Sequence, residues 1–207
     1  MLFSIQKGEF VHVLHNGGLH WVCISSIGCK ENEVNYYNSL SGSGVSWYLV
    51  QQIASIIHVD EYKLVINAKN VQKQNNSVGC GIYSLAFATS LLKGINPEEQ
   101  TYSAANLRPH LCQCLHDGHM KEFPKEATTK CQRVKTTTIK LTLYCHCRMP
   151  WRPADKKRPG MEMAECEICL KWFHQTCEGI PDTVFRDGAS WTCKACRSHH
   201  VTPGTLP

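Results

Sequence analysis

Short apolar runs broken by polar residues fill the first half of the chain, and that rhythm is lost in the second half. The segments EFVHVLH (9–15), HWVCISSI (20–27) and EVNYYNSL (33–40) are rich in β-branched and aromatic residues. Gly, Asn and charged groups separate them, so they are expected to form three strands of one sheet. Val45, Leu49, Ile53 and Ile56 recur at helical spacing and predict a helix over 45–57. LVINA (64–68) reads as a further strand. A loop rich in Gln and Asn follows, and then a helix from near Cys80 to about Lys93, stopped by Gly94 and Pro97. A last helix is expected over 103–115. Together these elements predict an α+β domain over residues 1–124, with no internal repeat.

Beyond residue 124 the pattern changes. Residues 125–143 carry Thr runs, several basic residues and weak periodicity, and read as a flexible linker. From residue 144 the cysteines arrive in closely spaced pairs and apolar periodicity disappears. That grammar marks a domain over 144–198 held together by metal rather than by an oily core, with a disordered tail over 199–207.

Composition narrows the function classes. The hydrophobic fraction of 43% is ordinary for globular chains. The longest apolar run, Gly79 to Leu92, is interrupted by Tyr83, Ser84 and Thr89 and suits a buried helix, so no membrane association is expected. No basic start followed by an apolar stretch opens the chain, which points to the nucleus or cytoplasm, where thiols stay reduced. The 13 cysteines are then expected as metal ligands, nucleophiles and small core residues rather than disulfides. The net charge of +5 is concentrated in residues 121–143, which hold 6 basic residues against 2 acidic. A solvated linker accounts for that excess, and direct nucleic-acid binding is not expected. The cluster Lys156-Lys157-Arg158 is too short to argue nuclear import by itself.

Eight soft donors stand in four pairs: Cys145 and Cys147, Cys166 and Cys169, His174 and Cys177, Cys193 and Cys196. They can close two tetrahedral Zn²⁺ sites with no open coordination position, so two structural zinc ions are expected and none for catalysis. The order of four Cys, one His and three Cys resembles the PHD finger family, as do Trp172 two residues before the His (WFH) and Trp191 two before the seventh ligand (WTC). The resemblance implies interleaved, cross-braced pairs: Cys145, Cys147, His174 and Cys177 on one ion, Cys166, Cys169, Cys193 and Cys196 on the other. It also implies a methyl-lysine cage at Tyr144, Met163 and Trp172 and a histone tail as partner, since aromatic faces attract a quaternary ammonium. Packing on a finger with almost no core is an equal reading of Trp172. The insertion RMPWRPADKKRPGME (148–162) departs from compact members and is basic for a site that would receive a basic tail. Cys112, Cys114, His116 and His119 do not make a third metal site, because helix residues two apart point in different directions.

The other constellation lies in QNNSVGCGIYSLAFA (74–88), where a Cys between two glycines opens an apolar helix. A helix N-terminus favours a thiolate nucleophile, and glycine neighbours let a substrate backbone approach. Upstream, His20 precedes Trp21 at a strand start, and Asn38 ends the next strand in YYNSL. The chain order of His-Trp, a Tyr-Asn-Ser-Leu strand end, Gln74, then Cys80-Gly81 resembles the ubiquitin-like-protein-specific cysteine proteases, a group that includes the SUMO-specific enzymes and is similar to adenovirus protease. The fold implied is the papain-like, adenain-like α+β type, here N-terminally shortened, followed by the small two-zinc PHD finger.

The resemblance implies Cys80 as nucleophile, His20 as general base and acid, Asn38 as the group that orients the imidazole, and Gln74 with the Cys80 N–H as oxyanion donors. Trp21 would cover a channel admitting a Gly-Gly end of a ubiquitin-like modifier, or would be an ordinary core Trp. Asn38 and Gly79 stand where the family has Asp. The chain also starts close to the first catalytic strand, so the helices upstream in larger members are expected to be missing or supplied by a longer polypeptide. The function expected is a cysteine-type peptidase or isopeptidase acting on ubiquitin-like modifiers, their precursors or conjugates, and targeted by its zinc finger to chromatin or a protein partner. The rival expectation is a non-catalytic chromatin-binding adaptor with a degraded protease domain.

Overall fold

The computed structural model describes residues 8–41, 44–57, 62–126, 136–151 and 160–199, and divides into a unit ending at Lys140 and a unit beginning at Leu141. Residues 127–135 of the expected linker, the Lys156–Arg158 cluster and the tail from residue 200 lie outside the described residues.

In the first unit, β1 (Val11–His15), β2 (Trp21–Ser25) and β3 (Glu33–Tyr37) run antiparallel in sequence order, and β4 (Lys63–Lys69) adds parallel to β3. The parallel step needs a crossover, which α1 (Trp47–Ile56) supplies. Ser46 caps that helix by accepting the Leu49 N–H, and buries Leu49, Val50 and Ile53 beneath it. α2 (Cys80–Leu92) packs on β2 and β1, and α3 (Leu107–Asp117) packs on α2. α2 ends at Leu92, the chain turns away at Gly94, where φ is +72°, and a 3₁₀ turn (Pro97–Glu99) follows.

The core between sheet and α2 gathers Cys23, Tyr37, Tyr83, Phe87, Tyr102, Leu107 and Phe123. Phe87 is fully buried, with its ring centroid 5.7 Å from that of Tyr102 and 6.1 Å from that of Tyr83. The Tyr102 hydroxyl meets Ser90 Oγ at 2.9 Å, and the Gln72 amide clamps the Tyr102 backbone on both sides. Burial pushes the Tyr102 phenol up to about 12.

The first unit does not stop at Pro124. Tyr102 bridges to Lys125, and the Glu126 N–H donates to Thr101 O. Beyond the undescribed stretch, residues expected in the linker form β5 (Thr137–Tyr144), whose first half neighbours β4; Thr138 Oγ1 donates to Asn67 Oδ1 at 3.0 Å. Its sequence TTIKLTLY is β-branched at half of its positions and sets Ile139, Leu141 and Leu143 at alternate ones, a strand signal outweighed in the sequence by the surrounding basic residues.

The second unit is small. β5 ends by pairing with β6 (Met149–Pro150), and β7 (Met163–Glu165) pairs with β8 (Trp172–His174), followed by α4 (Gln175–Glu178), α5 (Asp182–Asp187) and α6 (Lys194–His199). Its core consists of ligand cysteines plus Ala164, Phe173, Ile180 and Trp191. Along β8 the side chains alternate, so Phe173 is buried edge-on against Trp191 while Trp172 stays exposed. Among the described residues no helix is long and apolar enough to cross a membrane.

Candidate functional site

Antiparallel pairing brings the start of β2 beside the end of β3, and that edge holds two of the expected residues. Cys23 pairs with Tyr37, so His20, just before β2, lies near Asn38, just after β3. The β1–β2 turn that presents His20 is braced. Gly17 has φ +84°, and a Cβ there would lie 2.7 Å from the Tyr48 ring, so only glycine fits. The Asn16 N–H donates to His20 O, while Ser46 Oγ and Gln52 Nε2 of the α1 region donate to Asn16 O and His15 O.

His20 and Asn38 are both buried, and His20 Nε2 lies 2.7 Å from Asn38 Oδ1. The Leu40 N–H also donates to Asn38 Oδ1, at 2.8 Å, which assigns that atom as the amide oxygen. An oxygen can only accept, so the imidazole carries its proton on Nε2 and keeps Nδ1 as a base. The Asn38 side chain also hydrogen-bonds the Tyr36 phenol, which burial holds at about 12 against the opposing pull of that bond.

Cys80 is the first residue of α2 and is buried, with no acidic residue in the helix's first turn to compete with a thiolate. The two residues before Gln74's loop are tied to the β3 end: Lys73 Nζ donates to Asn38 O at 2.7 Å, and the Gln74 N–H donates to Ser39 O at 2.7 Å. The Gln74 side chain is held between two partners. Ser39 Oγ donates to its Oε1 at 2.6 Å, and its Nε2 donates to Asn76 O at 2.6 Å, leaving one amide hydrogen over. Burial lowers the Lys73 ammonium's pKa.

A cleft of about 820 Å³ opens beside the thiol, lined by Trp21, Cys80, Gly81, Leu19, Val78 and Arg108 among others. Trp21 is 43% exposed and lies over the first turn of α2, within ordinary contact of where a Gly81 Cβ would stand. It is therefore a cleft wall rather than a core residue. His20, Asn38 and Gln74 are not among the residues lining that cleft. Gly79 answers to its loop: a Cβ there would lie 2.9 Å from Asn76 Oδ1, which accepts the Val78 N–H, so the side chain of an Asp would displace that turn.

In the second unit the donor atoms of Cys145, Cys147, His174 and Cys177 lie within 4.8 Å of one another, as do those of Cys166, Cys169, Cys193 and Cys196. The pairs are interleaved along the chain. Zn–S bonds of about 2.3 Å place two sulfurs of one tetrahedron about 3.8 Å apart; Cys169 Sγ and Cys193 Sγ are separated by 3.9 Å. His174 turns Nδ1 toward Cys147 Sγ at 3.3 Å, while its buried Nε2 has no hydrogen-bond partner among the described residues. The ring is thus engaged through the nitrogen that faces the sulfurs. The donor chemistry and spacing fit two structural zinc ions. Cys112 is exposed and Cys114 buried, with Cys114 Sγ facing His110 Nε2 at 3.4 Å, so these two cysteines do not share a ligand set.

Tyr144, Met163 and Trp172 line one cavity of about 660 Å³, together with Trp151, Glu162 and Phe185. Tyr144 ends β5, Met163 and Trp172 face the same side of the β7–β8 hairpin, and the Cys145 N–H donates to Trp172 O at 2.9 Å.

Residues 10–136 match the family model described as the Ulp1 protease family, C-terminal catalytic domain. The chain belongs to the Ulp1 protease family. In this Ulp1-family chain, residues 141–202 match a second model, described as the UBR7-like PHD finger. A 57-residue segment is 32% identical to Chromatin remodeling protein SHL of Arabidopsis thaliana, over 28% of this chain and 22% of that protein. Another alignment, of 62 residues, is 31% identical to Chromatin remodeling protein EBS of the same plant, over 30% of this chain and 24% of that protein. A third, of 58 residues, is 33% identical to Histone lysine demethylase PHF8 of Danio rerio, over 28% of this chain and 5% of that protein. The chain thus spans under a quarter of each of these curated relatives' lengths.

Three residues of the Ulp1-family chain escaped sequence reasoning. Trp151, 42% exposed, stands directly after β6 and adds an aromatic wall to the finger's cavity beside Tyr144, Trp172 and Phe185. Its signal was present, since an aromatic beside Pro150 near a ligand pair is wasted as core in so small a finger. Leu40 and Tyr36 bond the Asn38 amide, and only their place at the strand end shows it.

Proposed function

We propose that this chain is a cysteine-type peptidase or isopeptidase that cleaves after the Gly-Gly end of a ubiquitin-like modifier, and that its finger directs it to histone tails in the nucleus. The observation that carries the catalytic reading is the buried His20–Asn38–Leu40 network, which leaves imidazole Nδ1 as a base next to Trp21, whose ring lies over the first turn of α2 that Cys80 opens. His20 Nδ1 takes the Cys80 proton, and the thiolate attacks the carbonyl carbon of the scissile bond. The tetrahedral oxyanion receives the Cys80 backbone N–H and the remaining Gln74 amide hydrogen. His20 then returns its proton to the amine as the C–N bond breaks, leaving a thioester on Cys80. Water, deprotonated by His20, hydrolyses the thioester and restores the thiol. The imidazolium formed on the way is held by Asn38 Oδ1 through Nε2–H, the arrangement that Cys-His-Asn enzymes use. Trp21 over the cleft fits a substrate end without side chains.

The finger's aromatic cavity supports recognition of a methylated lysine, and its likeness to chromatin remodeling proteins and a histone lysine demethylase fits a chromatin setting. Holding the protease near a chromatin-bound conjugate raises the effective concentration of that substrate. The same relatives also favour a second reading, a chromatin adaptor without turnover. An activity probe ending in a ubiquitin-like C-terminus with an electrophile decides between them. The wild-type chain is expected to form an adduct at Cys80 that Cys80→Ala and His20→Ala abolish. A folded chain that labels with no modifier, and turns over neither ubiquitin nor SUMO reporters, makes the adaptor the correct reading.

A further inference from the structure

Among the described residues, the cavity of the finger has one charged wall, Glu162. Tyr144, Trp151, Trp172 and Phe185 are aromatic, Met163 is apolar, and Glu162 is the one carboxylate among the described residues that line it. Glu162 is positioned by its backbone: its carbonyl accepts the Gln175 N–H at 2.8 Å, just before β7 begins, which sets its side chain at the cavity beside Met163.

We propose that Glu162 makes this cavity selective for dimethyl-lysine over trimethyl-lysine. The inference rests on the reading of the cavity as a methyl-lysine cage. An aromatic box attracts any poorly hydrated alkylammonium through the faces of its rings. It rejects unmodified lysine, whose ammonium is compact and strongly hydrated. Between methylated states the rings alone favour the one with most methyl groups. A carboxylate changes that order, because a dimethylammonium keeps one N–H and a trimethylammonium keeps none. The dimethyl state can place two methyls against Tyr144, Trp151 and Trp172 and donate its N–H to Glu162, a charge-assisted bond. The trimethyl state must bring methyl groups against the same carboxylate and displace its water without replacing the hydrogen bonds. Glu162 is exposed, so solvent screens the pair and the preference is a few-fold rather than a hundredfold.

The test uses the full chain with histone-tail peptides identical except for zero to three methyl groups on one lysine, read by calorimetry, with zinc content and melting checked for every variant. Wild type is expected to bind the dimethyl peptide about three- to fivefold more tightly than the trimethyl one. E162Q is expected to erase or reverse that ratio, and W172A to weaken all methylated peptides together. A wild-type chain that binds trimethyl as tightly as dimethyl, or an E162Q ratio equal to wild type, overturns the role of Glu162 while leaving the cage reading intact. Equal affinity for methylated and unmethylated peptides, with W172A without effect, overturns the cage and this inference with it.

Discussion

The two units reach stability by different routes. In the first, Phe87, Tyr102, Tyr83 and Tyr37 fill a core between sheet and α2, and each buried ring contributes by leaving water and touching its neighbours. In the second, the core is largely the ligand sulfurs themselves, with Phe173, Ile180 and Trp191 as the main apolar additions. A core that small cannot offset the entropy of ordering the chain, so metal binding must supply the difference. The contrast also separates the sites. The protease-type site depends on orientation held by hydrogen bonds across a sheet edge, whereas the finger's cavity depends on strands pinned by metal ligands. Damage to one route is therefore expected to spare the other.

The largest effect expected is on the metal. Structural zinc contributes about 10–16 kcal/mol to the folding of such fingers. His174→Ala or Cys177→Ala, or a strong chelator, is expected to unfold residues 144–197 while the first unit keeps its amide spectrum. Metal analysis should give about two zinc ions per wild-type chain. A finger that stays folded by NMR without zinc breaks the comparison.

The reverse break comes from Phe87→Ala, which opens a cavity in the fully buried centre of the first unit and is expected to cost about 3–5 kcal/mol. Denaturant melts followed at the two units separately check it, and the finger should keep its zinc throughout. Next in size is Gln74→Ala, expected to slow turnover of a Gly-Gly reporter by roughly 10²–10³ as one oxyanion donor is lost. An unchanged rate would remove Gln74 from the site.

Asn38→Asp sharpens the orientation argument. An Asp keeps both acceptor roles, toward His20 Nε2 and the Leu40 N–H, and can accept from Tyr36 where Asn donates. Activity equal to or above wild type is expected, and a large loss would mean that the amide itself is needed. The smallest effect concerns His12 on β1, whose pKa burial lowers from its ordinary value of 6.5. The folded state then binds protons less readily than the unfolded one. Its contribution to stability is full above 6.5 and declines as pH falls through that value toward the lowered one. Melting at pH 7.5 and 5.5 should show a slightly smaller acid loss in His12→Gln.

Much of this was legible in the linear chain because its signals are local. The four ligand pairs, the helix opened by Gly79-Cys80-Gly81 and the alternation of β1 to β3 are each contained within a few residues, and local spacing dictates local geometry. The order of His20, Asn38, Gln74 and Cys80 was readable too, as an ordered set. What the tertiary structure alone decided is non-local. The parallel pairing of β3 with β4 and the extension of order past Pro124 depend on which strand edges meet, and no residue's own preference encodes that. The proton on His20 Nε2 follows from a Leu40 N–H that fixes the Asn38 amide, a bond visible only once the strand ends lie side by side. Gly79 is kept small by Asn76 across a turn, and Trp151 joins Tyr144, Met163 and Trp172 only because strands distant in sequence converge on one cavity. Sequence specified which side chains could do chemistry; packing and hydrogen bonding across the chain decided which of them share a site, because distance in space is set by the whole fold and not by spacing along it.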